Sequence, residues 1–223
     1  MTRPVGVLVP AAGLGARLGP GAPKALRELA GEPLLVHAVR GLRAAPSVGP
    51  VVVAAPVADV AQVTALLAPY DVLVVAGGAE RTDSVRLALA ALDPAVELVL
   101  VHDAARCLTP PALVEKVAAC LRAGAEAVVP VLPVADTVKT VGGSMVVATV
   151  DRSALRAVQT PQGFRRDVLT RAHASAGGSA TDDAGLVEAL GVAVTTVPGD
   201  EEAFKVTRPI DLLLAEAVLA GRR

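Results

Sequence analysis

The first residues able to do chemistry stand near the start of the chain, in Pro10-Ala11-Ala12-Gly13-Leu14-Gly15-Ala16-Arg17-Leu18-Gly19-Pro20-Gly21-Ala22-Pro23-Lys24. Glycine lets backbone amides approach a phosphate closely, and successive amides form an anion nest. Arg17 and Lys24 add two cations, seven residues apart, to the same loop. A dinucleotide site relies on a helix N-terminus and little positive charge, so this loop suits a triphosphate better. It is not a Walker A loop, because no Gly-Lys-Ser/Thr follows. Nor is it a Rossmann fingerprint, because Leu18 stands where the third glycine belongs.

Four later groups add to this. Gly77-Gly78-Ala79-Glu80-Arg81-Thr82-Asp83-Ser84 and His102-Asp103-Ala104-Ala105-Arg106 each follow an apolar run. At the tip of a central strand, Asp103 could hold Mg²⁺ through one carboxylate oxygen and waters. The plainer alternative is an N-cap, or an ion pair with Arg106. Thr181-Asp182-Asp183 opens a helical stretch and reads as a cap, and Lys205-Val206-Thr207-Arg208-Pro209 precedes the last helix. The chain has 17 Arg but only four Lys. A lysine is a compact point charge where arginine is a planar fork. Lys24, Lys139 and Lys205, all in loop or hairpin motifs, are therefore candidates for specific roles, while Lys116 in mid-helix reads as a solvated face. Cys107 follows Arg106, and nearby cations favour a thiolate. It is expected to react faster than Cys120. His37, His102 and His173 have no metal-ligand spacing and read as core or surface histidines. No Ser-His or Cys-His pairing suggests a covalent nucleophile.

Elements must hold these groups together. Val5–Val9, Val51–Ala55, Val72–Val75, Leu98–Val101, Ala127–Leu132 and Ala193–Val197 are apolar on both faces, as in a mostly parallel sheet covered on both sides. Helical patterns over Leu34–Arg43, Val57–Leu67, Asp83–Leu92, Pro111–Arg122, Asp183–Leu190 and Ile210–Leu219 alternate with them. The fold class is α/β, a single domain with a doubly wound, mostly parallel sheet. One segment breaks the rhythm. From Pro133 to Phe164, alternating residues flank a Gly142-Gly143 turn, the signature of a β-hairpin. A lone hairpin is marginal and wants a partner surface. This one is expected to be an arm that docks on a second subunit.

Composition limits the partners. Hydrophobic residues make up 53% and charged residues 19%, which excludes a disordered chain. Only Tyr70, Phe164 and Phe204 are aromatic, too few for base-stacking platforms. A formal net charge of −1 gives no field for a polyanion, so no nucleic-acid partner is expected. The longest charge-free stretch, Ala44 to Ala58, is broken by three prolines and falls short of a membrane span. The N-terminus reads as a first strand rather than a signal peptide. Two cysteines thirteen residues apart, with no Cys-x-x-Cys, fit a reducing, cytoplasmic setting.

Taken in order, the loop, the Gly77–Ser84 block, Val101–Arg106, Asp136-Thr137-Val138-Lys139, Val150-Asp151-Arg152, Thr160-Pro161-Gln162, Thr181–Asp183 and Lys205–Pro209 resemble one family. It is that of the cytidylyltransferases of the GT-A-like nucleotidyltransferase superfamily, and among them the methylerythritol phosphate cytidylyltransferases. The resemblance covers nearly the whole chain. It implies a Rossmann-like nucleotidyltransferase fold, CTP and a sugar-alcohol phosphate as substrates, Mg²⁺, and a homodimer through swapped arms. It implies that Pro10, Ala11, Ala12, Gly13, Gly15, Gly77, Gly78, Ser84, Asp103 and Ala104 hold the nucleotide, with Asp103 also at the metal. Arg17, Lys24, Arg152 and Lys205 would be catalytic. Arg106, Asp136, Thr137, Thr160 and Thr181 would hold the acceptor, with Arg152 and Thr160 arriving from the partner's arm. Ala79 stands where relatives often have Asp. A cytidylyltransferase for ribitol phosphate or another polyol phosphate is the alternative, with a non-catalytic nucleotide-binding partner and a dehydrogenase more distant.

Overall fold

A computed structural model describes residues 4–13, 18–19, 21–175 and 181–222. Gly15 and Arg17 lie outside the described residues. The β-branched runs form a sheet whose first strands are β1 (Val5–Pro10), β4 (Val48–Ala55), β5 (Leu73–Ala76) and β6 (Leu98–Val101); a small ribbon of β2 (Glu28–Leu29) and β3 (Glu32–Pro33) stands apart. The sheet continues through β7 (Ala127–Pro133), β10 (Arg156–Val158), β11 (Gln162–Arg165) and β12 (Val194–Pro198). Among the described residues it has eight strands in the order β10-β7-β11-β6-β1-β4-β5, with β12 beside β7. Parallel pairing joins β1 to β4 and β6, β4 to β5, and β7 to β12. The helices are α1 (Leu34–Arg43), α2 (Val60–Leu67), α3 (Arg81–Ala91), α4 (Pro111–Arg122), α5 (Arg166–Ser175), α6 (Asp183–Ala189) and α7 (Pro209–Gly221).

Strand residues alternate between two cores. Val7, Val9, Val53 and Leu100 join the core under α1, α2 and α4, while Leu8, Val52, Val99 and Val101 join the one under α3, α5 and α6. Burial on both faces is why these strands are unbroken apolar runs. A third cluster, with Leu29, Leu34, Leu108 and Val206, lies beneath α7 and fastens the Lys205 loop to the body.

The arm is smaller than the sequence suggests. Only β8 (Val138–Gly142) and β9 (Met145–Val150) form a separate two-stranded hairpin. Gly142 pairs with Met145, so the two-residue turn is Gly143-Ser144, and Gly143 supplies the positive φ of 59°. Residues 156–165 return to the body. β10 pairs antiparallel with β7, and β11 fits antiparallel between β6 and β7 with Phe164 fully buried. Two further expectations shift. Helix α3 starts at Arg81 because Glu80 and Asp83 form a capping box, which puts Asp83 inside the first turn. Lys116 is not simply a solvated charge, since its Nζ donates to the Pro198 carbonyl at 2.9 Å. Among the described residues no helix is long and apolar enough to cross a membrane.

Candidate active site

The carboxyl ends of β1, β5 and β6 open onto one cleft, where ligands bind in open α/β sheets. Beyond β1, the Ala11 amide still donates to Ala54 at 2.8 Å, after which Ala12 and Gly13 leave the sheet. The loop closes where the Lys24 amide donates to the Gly13 carbonyl at 3.3 Å. Ala25, buried in the core, pins the turn that carries Lys24. Beyond β5, the Gly77 amide donates to Ala55 at 2.7 Å. A Cβ on Gly77 would lie 2.6 Å from that of Ala12, so glycine is required for these two chain segments to meet. The Gly78 amide donates to Ser84 Oγ at 3.1 Å, and that hydroxyl donates to the Glu80 carbonyl at 3.2 Å. Two of the groups expected to hold the nucleotide are thus bonded to each other.

Beyond β6, His102 donates its amide to Leu8, and the Asp103 amide donates to Thr160 Oγ1 at 3.0 Å. The Asp103 side chain faces two cations. Lys205 Nζ lies 2.6 Å from Oδ2 and Arg81 Nε lies 3.3 Å from Oδ1. Burial works against the ionised Asp103, but Arg81, Lys205 and Arg106 outweigh it and hold the carboxyl well below the usual range. Lys205 is placed by its neighbours. The Val206 amide donates to Ala105, and Asp211 accepts from the Thr207 and Arg208 amides, both at 2.7 Å, at the start of α7.

The resulting cavity of about 240 Å³ is lined by Pro10, Ala11, Ala12, Gly13, Lys24, Gly78, Ser84, Asp103, Ala104 and Lys205, all singled out from the sequence, with Gly77 buried just behind. Glu80, Arg81 and Thr207 line it too. The Asp103 ion pairs are with Arg81 and Lys205, where the sequence alternative was Arg106.

The expected acceptor residues do not line this cavity. Arg106 donates to the Ala203 carbonyl at 2.7 Å and to Val158 at 3.1 Å, clamping the segment before Lys205 to β10. Asp136 and Thr137 are exposed at the base of the arm, and Thr181 is exposed before α6. Arg152 donates to Val134 at 3.1 Å and also to Ala135, bracing its own arm. Thr160 is corrected outright. It is not on the arm but buried in its own chain, bonded to the Asp103 amide and 3.2 Å from His102 Nδ1. Segment 156–165 closes onto the body strands, and this carries Thr160 inward. Cys107 is corrected as well. It is buried, and burial pushes its thiol up to about 12, with Arg222 and Lys24 offsetting only part of that.

Arg81 and Asp183 were missed. Arg81 Nη1 lies 2.8 Å from Oδ2 of Asp183, which is fully buried, and Asp183 Oδ1 lies 2.9 Å from His173 Nε2. Two successive acids at 182 and 183 were the available signal. Asp182 takes the cap, accepting from the Gly185 amide, so Asp183 had to have another partner.

A sheet of this order, with a glycine loop, two lysines and the ionised Asp103 carboxylate gathered at its strand ends, defines a nucleotidyltransferase, an enzyme that moves a nucleotide onto an acceptor. Comparison with known proteins gives the particular kind. The model of the family 2-C-methyl-D-erythritol 4-phosphate cytidylyltransferase matches residues 5–221, and the chain belongs to that family. It is 62% identical to the protein of that description from Frankia casuarinae, over 97% of this chain and 81% of the relative. It is 60% identical to the one from Saccharopolyspora erythraea, over 96% and 98%. Among solved structures, the cytidylyltransferase of Thermus thermophilus aligns with a TM-score of 0.79 at 40% identity, covering 97% of this chain and 99% of the other. The 4-diphosphocytidyl-2C-methyl-D-erythritol synthase of Anaerococcus prevotii aligns at 0.84 and 26% identity, over 99% and 100%.

Proposed function

We propose that this cleft transfers the cytidylyl group of CTP to the phosphate of 2-C-methyl-D-erythritol 4-phosphate, with release of pyrophosphate. The observation that carries the reading is the convergence of Lys24, Lys205 and Asp103 on one cavity, in a chain matched by its family over residues 5–221. A phosphate monoester oxygen attacks the α-phosphorus in line as pyrophosphate leaves. Both reactants are polyanions, so catalysis here is positioning and charge neutralisation. Lys24, on the glycine loop, faces the triphosphate, and the sequence offers Arg17, outside the described residues, for the same role. Lys205 meets the incoming phosphate.

Among the described residues no cluster of three metal-ligating side chains exists. One ionised carboxylate in a cleft still fits Mg²⁺ that arrives with the triphosphate, because Mg²⁺ uses one or two carboxylates plus phosphates and waters. Asp103 would hold it. When bound, the ion neutralises phosphate charge.

The acceptor half is completed by a second copy of the chain. Val141, Met145, Val146 and Val147 are between 61% and 72% exposed on the arm, an apolar surface that a two-fold dimer would cover. That docking would carry Arg152, Asp136 and Thr137 toward the neighbouring cleft, beside Arg106 and Thr181 of the subunit they join. Two free cysteines fit a cytoplasmic setting.

The test is pyrophosphate release by the purified chain with CTP, Mg²⁺ and the acceptor. Rapid release with 2-C-methyl-D-erythritol 4-phosphate supports the reading. Faster turnover of ribitol 5-phosphate would assign the cleft to a different acceptor.

A further inference from the structure

Arg81 is shared between two carboxylates of different standing. On the cleft side its Nε lies 3.3 Å from Asp103 Oδ1, while on the interior side its Nη1 lies 2.8 Å from Asp183 Oδ2. Asp183 has no exposed surface, and its other oxygen is occupied by His173 Nε2 at 2.9 Å. His173 stands in the last turn of α5, and its side chain is only 4% exposed. Asp183 itself is anchored, because it begins a helix whose cap, Asp182, accepts from Gln162 Nε2 at 2.8 Å, and the next amide, Ala184, donates to Gln162 Oε1 at 3.1 Å. The interior pair is therefore short, dry and rigidly mounted, and the cleft pair is long and partly solvated. Charge interactions strengthen with burial, so the interior carboxylate has the stronger hold on the guanidinium.

We propose that Asp183 is a positioning residue, which keeps the Arg81 guanidinium at its long 3.3 Å contact with Asp103 Oδ1 and so leaves that oxygen, the one Lys205 does not hold, available to the metal that accompanies the triphosphate. Without the Asp183 charge, Arg81 has Asp103 as its only carboxylate partner in this chain of contacts. It tightens on Asp103 Oδ1 and competes with the metal for that oxygen, the other being held by Lys205. The proposal rests on the cytidylyltransferase reading and gives that site a control point outside the cleft.

The test is calorimetric binding of CTP with and without Mg²⁺, needing no turnover. Asp183→Asn is expected to weaken CTP binding about tenfold when Mg²⁺ is present and to change it less than twofold when Mg²⁺ is absent. Adding Arg81→Gln to that variant removes the competing cation and leaves a neutral amide pair. Binding with Mg²⁺ is then expected to return to within about threefold of the unmodified chain. Val187→Ala, a buried truncation in the same helix, controls for loosened packing and should leave the Mg²⁺ dependence unchanged. Equal loss with and without Mg²⁺, or a double variant no better than the single one, overturns the proposal. Should Asp183→Asn fail to fold, a crystal structure of the unmodified chain with CTP and Mg²⁺ decides. Arg81 should keep Asp183 while its contact with Asp103 opens, and a guanidinium still bridging both carboxylates would contradict it. If the unmodified chain binds CTP no better with Mg²⁺ than without it, the functional reading fails first, and the proposal falls with it.

Discussion

The cleft and the arm hold their polar groups in opposite ways. At the cleft, Asp103 is fixed through its backbone by Thr160 and through its side chain by Lys205 and Arg81, and Arg81 is tied in turn to a buried aspartate. In the arm, Lys139 reaches only across its own hairpin to Thr149, and the neighbouring valines face outward. Among the described residues, the cleft groups meet their partners within a single chain, while the arm exposes apolar surface. On the reading proposed above, a single chain builds the nucleotide half in advance, whereas the acceptor half is assembled from two copies.

The sharpest way to break this contrast is to damage the finished side. Lys24→Ala should lower turnover at least ~100-fold, the scale for losing one charge-stabilising group in a transition state. Its thermal stability should stay close to normal, because the side chain lines a cavity rather than filling a core. Near-normal steady-state turnover would remove Lys24 from the mechanism.

A second expectation concerns how deeply the cleft floor is buried. His102 adjoins Asp103 and is almost fully buried, and burial pushes its imidazole down to about 4 from an ordinary value of 6.5. The folded chain thus keeps it neutral where the unfolded chain binds a proton. Unfolding takes up protons in that window, so stability should fall as pH drops from about 6.5 toward 4, by roughly 2 to 3 kcal/mol. His102→Gln should flatten this part of the curve in urea titrations at several pH values. Parallel curves for the two proteins would show that His102 is not the group responsible.

The smallest effect is a difference in labelling. With its thiol raised and buried, Cys107 should alkylate more slowly than the half-exposed Cys120, the reverse of what its cationic neighbours suggest. Mass spectrometry after brief treatment with iodoacetamide checks this, and faster labelling of Cys107 would mean that the apolar cluster beneath α7 opens readily.

The same contrast marks how much the sequence discloses. The strands buried on both faces were legible because a covered parallel strand must be an apolar run, and Leu34–Arg43 and Pro111–Arg122 match the helices residue for residue. Strands β10 and β11 were not legible. Arg156–Val158 and Gln162–Arg165 are three or four residues long and mix arginine and glutamine with apolar side chains, so no period survives. Their pairing is fixed by the edge of β7 and the gap beside β6, which are tertiary facts. Helix α5 left a signal that was passed over, with Val168, Leu169 and Ala172 on one face. In the site, charged residues in loop motifs at strand ends stood out, so Lys24, Asp103 and Lys205, which line the cavity, were singled out. Arg81 and Asp183 are linked only through the fold, about a hundred residues apart in sequence.

The central claim, that a second chain completes each site, is tested most directly by mixing subunits. Lys24→Ala and Arg152→Ala are each expected to be inactive alone. When the two are co-refolded in equal amounts, about half of the dimers are mixed, and in each mixed dimer one site regains an intact Lys24 from one chain and an intact Arg152 from the other. About one quarter of all sites should recover, measured as pyrophosphate release, once native mass spectrometry has confirmed the mixed dimers. Arg152 also braces its own arm through Val134 and Ala135, so the alternative is concrete. If it acts only within its own chain, every site still lacks one residue, and confirmed mixed dimers that stay inactive would contradict the two-chain site.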